Sequence, residues 1–211
     1  MGTIGKVLLG AIIGGGSVYA LKDKLFNTET SDHNSILTYS LIPNSTCGPC
    51  CDTSQIEFHH AKAIVFNCMD FRLRDNVTCH LNSKGYNNSY DEVIAAGASL
   101  GYNGLSTFTH WDSFVDEHIM LAFNLHDIST IVIVEHEKCG AYKVQYGHGS
   151  SLTPESEYKY HIDNSKTCAD TLWSKFNSES GTVLKIPELR IVVYLISIDA
   201  SSFDEIYSLK E

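Results

Sequence analysis

The chain has 211 residues, of which 43% are hydrophobic and 19% are charged, and its formal net charge is −10. This length suits one domain of about 150 residues plus an appendage, and the composition is that of a globular protein rather than a disordered one. The excess of acidic residues disfavours binding to a phosphate backbone, and no basic stripe offsets it. Nucleic acid is therefore excluded as a partner.

Residues 1–26 form a distinct hydrophobic N-terminal segment. An uncharged run extends from Val7 to Leu21 between flanking lysines, and it is shorter than the about 20 residues that cross a bilayer comfortably. Three interpretations stay open: a short membrane anchor, a signal peptide cleaved after Ala20, and a buried Gly-rich helix or strand. The first two predict a membrane-anchored, secreted or organellar localisation and membrane contact through this segment.

Residues 27–60 are polar and are interrupted by Pro43 and Pro49, which predicts a linker or extended arm. The stretch Cys47–Cys50 matches a thioredoxin-type Cys-x-x-Cys motif. That chemistry needs the pair at the start of a helix that follows a strand, and no apolar strand precedes it. A structural disulfide or free thiols are favoured over redox catalysis, and the seven cysteines of the chain do not decide its redox compartment.

Residues 61–211 carry the pattern of an α/β domain. Four short runs are apolar on both faces and rich in β-branched residues, which is typical of buried parallel strands. These runs are Ala63–Phe66, Val93–Ala96, Ile131–Val134 and Ile191–Ile196. We predict a mostly parallel β-sheet flanked by helices, because helical patterns separate the runs.

Three helices are predicted in this domain. Apolar residues recur at three- and four-residue steps from Phe108 to Leu125 and indicate one long amphipathic helix. Thr153–Glu155 supplies an N-cap, a proline at the first helical position and an early acid, so a second helix begins there. Ser201 is placed to cap a short final helix.

Two polar fragments follow strand ends, where α/β sheets carry their chemistry. Cys68–Arg72 comes after the first run, and His136–Gly140 comes after the third. Cys68, His136 and Cys139 offer two thiolates and one imidazole, a set that suits tetrahedral zinc and leaves one position for water. The alternative is that both cysteines are ordinary buried thiols. Their occurrence together at two strand ends favours a Zn²⁺ site.

The order Cys-x-Asp-x-Arg and then His-x-x-Cys-Gly-Ala resembles the zinc signature of the β-class carbonic anhydrases, and the resemblance spans roughly residues 60–200. It implies that Cys68, His136 and Cys139 bind Zn²⁺ and that Asp70 and Arg72 form a catalytic carboxylate–guanidinium dyad. Asp70 is suited to orient the zinc-bound water. Arg72 can clamp that carboxylate with a bidentate pair that lysine could not form.

The resemblance implies reversible hydration of carbon dioxide to bicarbonate by zinc-bound hydroxide. Gly97 and Ser99 fall where the family has a glycine-containing loop beside the metal and are candidates for substrate binding, although an ordinary strand-to-helix turn fits the sequence equally well. Ile94 and Ala95 replace an Arg-Asn pair, and Phe71 replaces a small serine. These departures indicate a divergent branch.

Two alternatives to carbon dioxide hydration remain. The same zinc site could cleave carbon disulfide or carbonyl sulfide, as related proteins do, or the chain could be a non-catalytic zinc-binding structural subunit of a membrane-associated assembly. The resemblance also implies a homo-oligomer, a dimer or higher, or a subunit of a larger assembly, because active sites of the family lie at subunit interfaces.

Overall fold

The computed structural model describes residues 59–104, 111–148, 150–177 and 185–210. All of these residues belong to one compact unit, Asp52–Glu211. The predicted N-terminal segment, residues 1–26, lies outside the described residues. So does the linker as far as residue 58, with its Cys-x-x-Cys motif.

Five strands form one sheet in the order β2-β1-β3-β4-β5. Every neighbouring pair is parallel except β4 and β5, which are antiparallel. The predicted mostly parallel sheet is confirmed. The strands are β1 (Ala63–Asn67), β2 (Tyr90–Ile94), β3 (Thr130–His136), β4 (Arg190–Ile196) and β5 (Phe203–Lys210).

Helices connect the strands. They are α1 (Arg74–Leu81), α2 (Ser99–Asn103), α3 (Trp111–His126), α4 (Gly140–Gly147) and α5 (Pro154–Phe176). A 3-10 turn, Phe71–Leu73, precedes α1. Helix α5 begins where the sequence predicts, because Pro154 opens it and the Thr153 hydroxyl accepts a hydrogen bond from the Ser156 amide at 3.3 Å.

The core lies on both faces of the sheet because successive side chains of a strand point in opposite directions. In β1, Ile64 and Phe66 belong to the cluster that includes buried residues of α3 and α5. Ala63 and Val65 belong to the cluster that includes buried residues of α1. The central strands β1, β3 and β4 are mostly apolar because both of their faces are covered.

Helix α3 confirms the predicted long helix within the described residues. Its buried face consists of Val115, Ile119 and Ala122. Leu125, which the periodicity assigns to the same face, is 43% exposed, and Phe114 and Leu121 are exposed as well. These three exposed residues form a second apolar stripe on the helix, named here the α3 stripe.

The predicted final helix is wrong, because the segment after Ser201 is strand β5. Phe203, Ile206 and Leu209 recur every three residues, as they would on a helix. The register against β4 shifts between the pairs Val193–Tyr207 and Tyr194–Glu205, which leaves Ile206 as the extra residue of a β-bulge. The bulge reverses the alternation of the strand, so Phe203 packs in the cluster on the α1 side of the sheet, whereas Ile206 and Leu209 pack against the cluster on the other side.

The localisation predicted from residues 1–26, membrane-anchored or secreted or organellar, is also corrected. None of the described helices is both long enough and apolar enough to cross a bilayer. The longest of them, α5, carries charged side chains such as Glu157, Lys159 and Asp163. Residues 1–26 themselves lie outside the part of the chain that the structure describes.

Candidate metal centre

Three potential ligands meet at the carboxyl edge of the sheet. Cys68 follows the last residue of β1, and His136 is the last residue of the neighbouring parallel strand β3. Cys139 is the N-cap of α4. One ligand atom from each lies within 4.8 Å of the others, and the two Sγ atoms are 3.9 Å apart. The structure therefore brings together the three residues that the sequence predicted as ligands.

The turn between His136 and Cys139 directs the second cysteine back towards the first. Lys138 adopts a left-handed conformation with φ of 55°, which reverses the chain within two residues. The Glu157 carboxylate of α5 then accepts a hydrogen bond from the Cys139 amide at 3.2 Å. Backbone geometry and a second helix thus fix the position of Cys139.

His136 has a nitrogen available for a metal ion. Its Nδ1 donates to the Glu137 carbonyl oxygen at 2.9 Å, which makes Nε2 the acceptor of the ring. Nε2 is buried, and no described residue offers it a hydrogen bond. An unpartnered imidazole nitrogen beside two thiols is the donor set of a zinc site with three protein ligands. The residues fit the ion.

The protein shifts the pKa values of the two thiols in opposite directions. The hydrogen bond from the Cys139 thiol, with further help from the Gly97 amide, lowers the pKa of Cys68 well below its usual value. The same hydrogen bond, together with burial, raises the pKa of Cys139. Cys68 is therefore ready to bind as a thiolate, while Cys139 would lose its proton to the charge of the arriving cation.

Asp70 and Arg72 form a bidentate ion pair beside these ligands. Arg72 Nε donates to Asp70 Oδ1 at 2.9 Å, and a terminal guanidinium nitrogen donates to Oδ2 at 2.6 Å. The Arg72 hydrogen bonds hold the pKa of Asp70 down at about 2. Oδ2 lies 3.9 Å from His136 Nε2. An ionised and fixed carboxylate therefore lies next to the candidate ligands.

Gly97 lies in the loop after β2, and Ser99 is the first residue of α2. The Gly97 amide donates to Cys68 Sγ at 3.3 Å, so this residue supports a candidate ligand directly. Ser99 is fully buried, and both its amide and its hydroxyl donate to Glu135 Oε1. A substrate contact for Ser99 stays a prediction, and it would require that hydroxyl to leave Glu135.

The sequence of this chain matches a known protein family. Residues 58–175, more than half of the chain, match the family described as "Putative carbonic anhydrase". The chain belongs to this carbonic anhydrase family. The family relationship that the paired motif indicated is confirmed.

Two relatives of this carbonic anhydrase family member come from Rickettsia. An uncharacterized protein of Rickettsia conorii is 28% identical over 151 residues, which cover 72% of this chain and 75% of that protein. An uncharacterized protein of Rickettsia bellii is 27% identical over 141 residues, which cover 67% and 79%. Their names state no activity.

Solved structures of β-carbonic anhydrases also match. Isoform I from Trichomonas vaginalis is 20% identical with a TM-score of 0.43 and covers 71% of this chain and 86% of its own. CafA from Aspergillus fumigatus is 14% identical with a TM-score of 0.46 and covers 72% and 78%. The assignment to the family rests on the family match rather than on these structures.

Sequence reasoning missed a buried polar network behind the ligands. Glu135 Oε2 lies 2.9 Å from His161 Nδ1 on α5, and both side chains are almost fully buried. The Tyr142 hydroxyl lies 3.4 Å from the Ser99 hydroxyl, and its ring packs 4.0 Å from the His161 ring. An acidic residue ending the apolar run of β3 was the available signal for Glu135, whereas the periodicity of α5 gave none for His161.

Proposed function

We propose that this member of the carbonic anhydrase family catalyses the zinc-dependent reversible hydration of carbon dioxide to bicarbonate, within a zinc domain that spans residues 61–211. One observation carries the proposal: three ligand atoms of two cysteines and a histidine lie within 4.8 Å of one another, beside a clamped carboxylate. Three protein ligands leave one position of a tetrahedral ion open, as catalytic zinc requires.

The proposed roles follow from the contacts of each side chain. Cys68, His136 and Cys139 would hold the zinc, whose charge supplies acidification of water and polarisation of substrate. Asp70 accepts a hydrogen bond from the attacking water and orients it. Arg72 holds both carboxylate oxygens, so Asp70 cannot rotate onto the metal and block the open position.

The low pKa of Asp70 has a consequence for pH dependence. Hydrogen bonding to Arg72 keeps Asp70 ionised down to about pH 2. The carboxylate therefore stays an acceptor well below neutral pH, and its own titration does not shape the activity profile from about pH 6 to about 9.

The proposal is tested by replacing the guanidinium clamp. Arg72→Lys keeps the charge but loses the bidentate geometry, so we expect carbon dioxide hydration to fall by at least about tenfold while zinc stays bound. Stopped-flow hydration assays and elemental zinc analysis on the full chain measure both. Arg190→Lys is the matched control. Arg190 is the first residue of β4, at the opposite end of that strand from the metal centre, and it pairs with the exposed Glu205 of β5.

Loss of the ligands gives the second arm of the same test. Cys139→Ser and His136→Ala should each reduce the zinc content well below one ion per chain. Zinc present without any hydration, and no dependence on Arg72, would contradict the enzymatic proposal. That outcome would favour a structural zinc-binding subunit.

The exposure of Phe71 supports a second class of substrate, carbon disulfide or carbonyl sulfide. This residue lies between the two members of the dyad and is 84% exposed, with the exposed Met69 on the other side of Asp70. An apolar rim is better suited to carbon disulfide or carbonyl sulfide than a polar one is. The same purified protein assayed with carbonyl sulfide distinguishes the two chemistries by their relative rates.

A further inference from the structure

The turn between β2 and α2 has a strained backbone and carries the amide that contacts Cys68. Gly97 has a φ of 75°, and Ala98 follows it with a φ of 41° and a ψ of −110°. A left-handed conformation is costly for a residue other than glycine and persists only where the surrounding structure holds it. Contacts from outside the turn must therefore maintain this conformation.

The side chain of Glu135 supplies such contacts from β3. Its Oε1 accepts one hydrogen bond from the Ser99 amide at 2.8 Å and another from the Ser99 hydroxyl, and both residues are buried. Glu135 directly precedes the candidate ligand His136 in the strand. One carboxylate oxygen thus ties the residue after the strained pair to the strand that ends at a candidate ligand.

The second oxygen of Glu135 is held from α5. Oε2 lies 2.9 Å from His161 Nδ1, which donates to it. With donors on both oxygens, the carboxylate cannot rotate without breaking one of these bonds. Packing alone does not account for an acid here, because an apolar side chain in a core is often as stable as a buried polar pair or more so. The fixed carboxylate therefore calls for a role beyond stability.

The structure assigns Glu135 and Ser99 such a role, as positioning residues for the Cys68 thiolate. Glu135 holds Ser99, Ser99 fixes the end of the turn, and the turn keeps the Gly97 amide 3.3 Å from Cys68 Sγ. A hydrogen bond from a backbone amide stabilises a thiolate and orients it for metal binding. The inference rests on the metal site of the proposed function and on no reaction at that site.

The first test compares two buried serines in the full chain. Competition with a zinc chelator measures the affinity, and the thiolate-to-cobalt absorption bands of the Co²⁺-loaded chain report the environment of the sulfur. We expect Ser99→Ala to raise the Kd for zinc by about fivefold, because one bond to Glu135 is lost. The bands should move to longer wavelength, because a sulfur with a weaker amide contact gives up electron density more easily.

Ser165→Ala is the matched control. Ser165 is as fully buried as Ser99, but its hydroxyl has no hydrogen-bond partner among the described residues. The substitution should leave the Kd for zinc within about twofold and the cobalt bands in place.

Variants of Glu135 separate its hydrogen bonds from its charge. Glu135→Leu accepts no hydrogen bond and should raise the Kd for zinc by at least about tenfold. Glu135→Gln should recover most of the affinity, because its amide oxygen can still accept from Ser99 while its nitrogen faces His161. The imidazole can change tautomer, since its Nε2 has no partner in the described part of the chain. If the leucine variant does not fold, the comparison of the two serines decides.

The outcomes distinguish this inference from the proposed function. Unchanged Kd values and cobalt bands in Ser99→Ala would overturn the inference and leave the metal site intact. A loss in Glu135→Gln as large as in Glu135→Leu would show that Glu135 acts through its charge, and would also overturn the positioning role. Absence of thiolate-to-cobalt bands in wild type would overturn the metal site and the inference with it. The expected changes in a chain without hydration activity would uphold the inference and reject the proposed reaction.

Discussion

At the scale of single residues, Gly97 shows how tightly the metal centre is packed. Its φ is +75°, and a Cβ built there would lie 2.9 Å from the Ala141 Cβ. The Gly97 amide also donates to Cys68 Sγ. Only glycine allows this approach of the backbone to a candidate ligand.

We therefore expect Gly97→Ala to weaken zinc binding by about tenfold and to lower the thermal midpoint, because the loop must move away from Cys68. Competition with a zinc chelator measures the affinity. Gly85→Ala is the matched control: Gly85 has φ of +89° but no atom within 4 Å of the added methyl group. An equal loss of zinc affinity in both variants would mean that backbone strain alone, rather than the contact at Cys68, is responsible.

The sequence predicted the candidate ligands at this scale but not the residues around them. Cys68, His136 and Cys139 are distinctive because few residue types bind zinc and their spacing is unusual. Asn67 is different, since a polar residue at a strand end is ordinary and its partner Glu92 lies on another strand. Its orientation depends on a tertiary contact that no local pattern encodes.

At the scale of elements, the Glu135–His161 pair joins β3 to α5. The two side chains are almost fully buried, and Glu135 also receives two hydrogen bonds from Ser99 at the start of α2. Removing one partner of a buried pair leaves the other without compensation, which costs more than removing an exposed pair.

We expect His161→Phe to lower the free energy of unfolding by about 3 kcal/mol, because Glu135 loses the donor to one of its oxygens. Urea denaturation measures the change. His126→Phe is the control, since His126 pairs with Asp91 on the surface at 2.7 Å and should contribute less than about 1 kcal/mol. A similar loss in both variants would contradict a special role for the buried pair.

Helices and strands were predictable from the sequence where a single local pattern determined them. The strands β1, β3 and β4 follow from short apolar runs, and α5 follows from its cap and its proline. Strand β5 was not predictable, because the bulge at Ile206 interrupts its two-residue alternation and only pairing with β4 reveals the strand. Tertiary pairing overrode the local pattern there.

At the scale of the whole molecule, exposed apolar residues bear on assembly. Met69 and Phe71 are 63% and 84% exposed beside the dyad. The three residues of the α3 stripe are exposed as well, and exposed large apolar residues that group together mark contact surfaces. We infer a homo-oligomer in which the surface at Phe71 is covered by a second copy of the chain.

The test of assembly is the mass in solution. Light scattering on the purified chain should give a dimer or a larger species, and Phe71→Ser should shift it towards the monomer because the contact loses its apolar anchor. Val144→Ser is the control, since Val144 is an exposed apolar residue on a different element, α4. A monomeric wild type, or equal dissociation by both substitutions, would contradict the inference.

The bulge in β5 limits the routes by which such an assembly could form. Among the described strands, β2 and β5 are the two borders of the sheet. The extra residue at Ile206 twists one border, and Asp204, Glu205 and Lys210 place charges along it. A twisted and charged border is a poor template for pairing with a strand of another molecule. Neighbouring copies would therefore join through side chains on helices and loops, and the sheet would not grow from chain to chain.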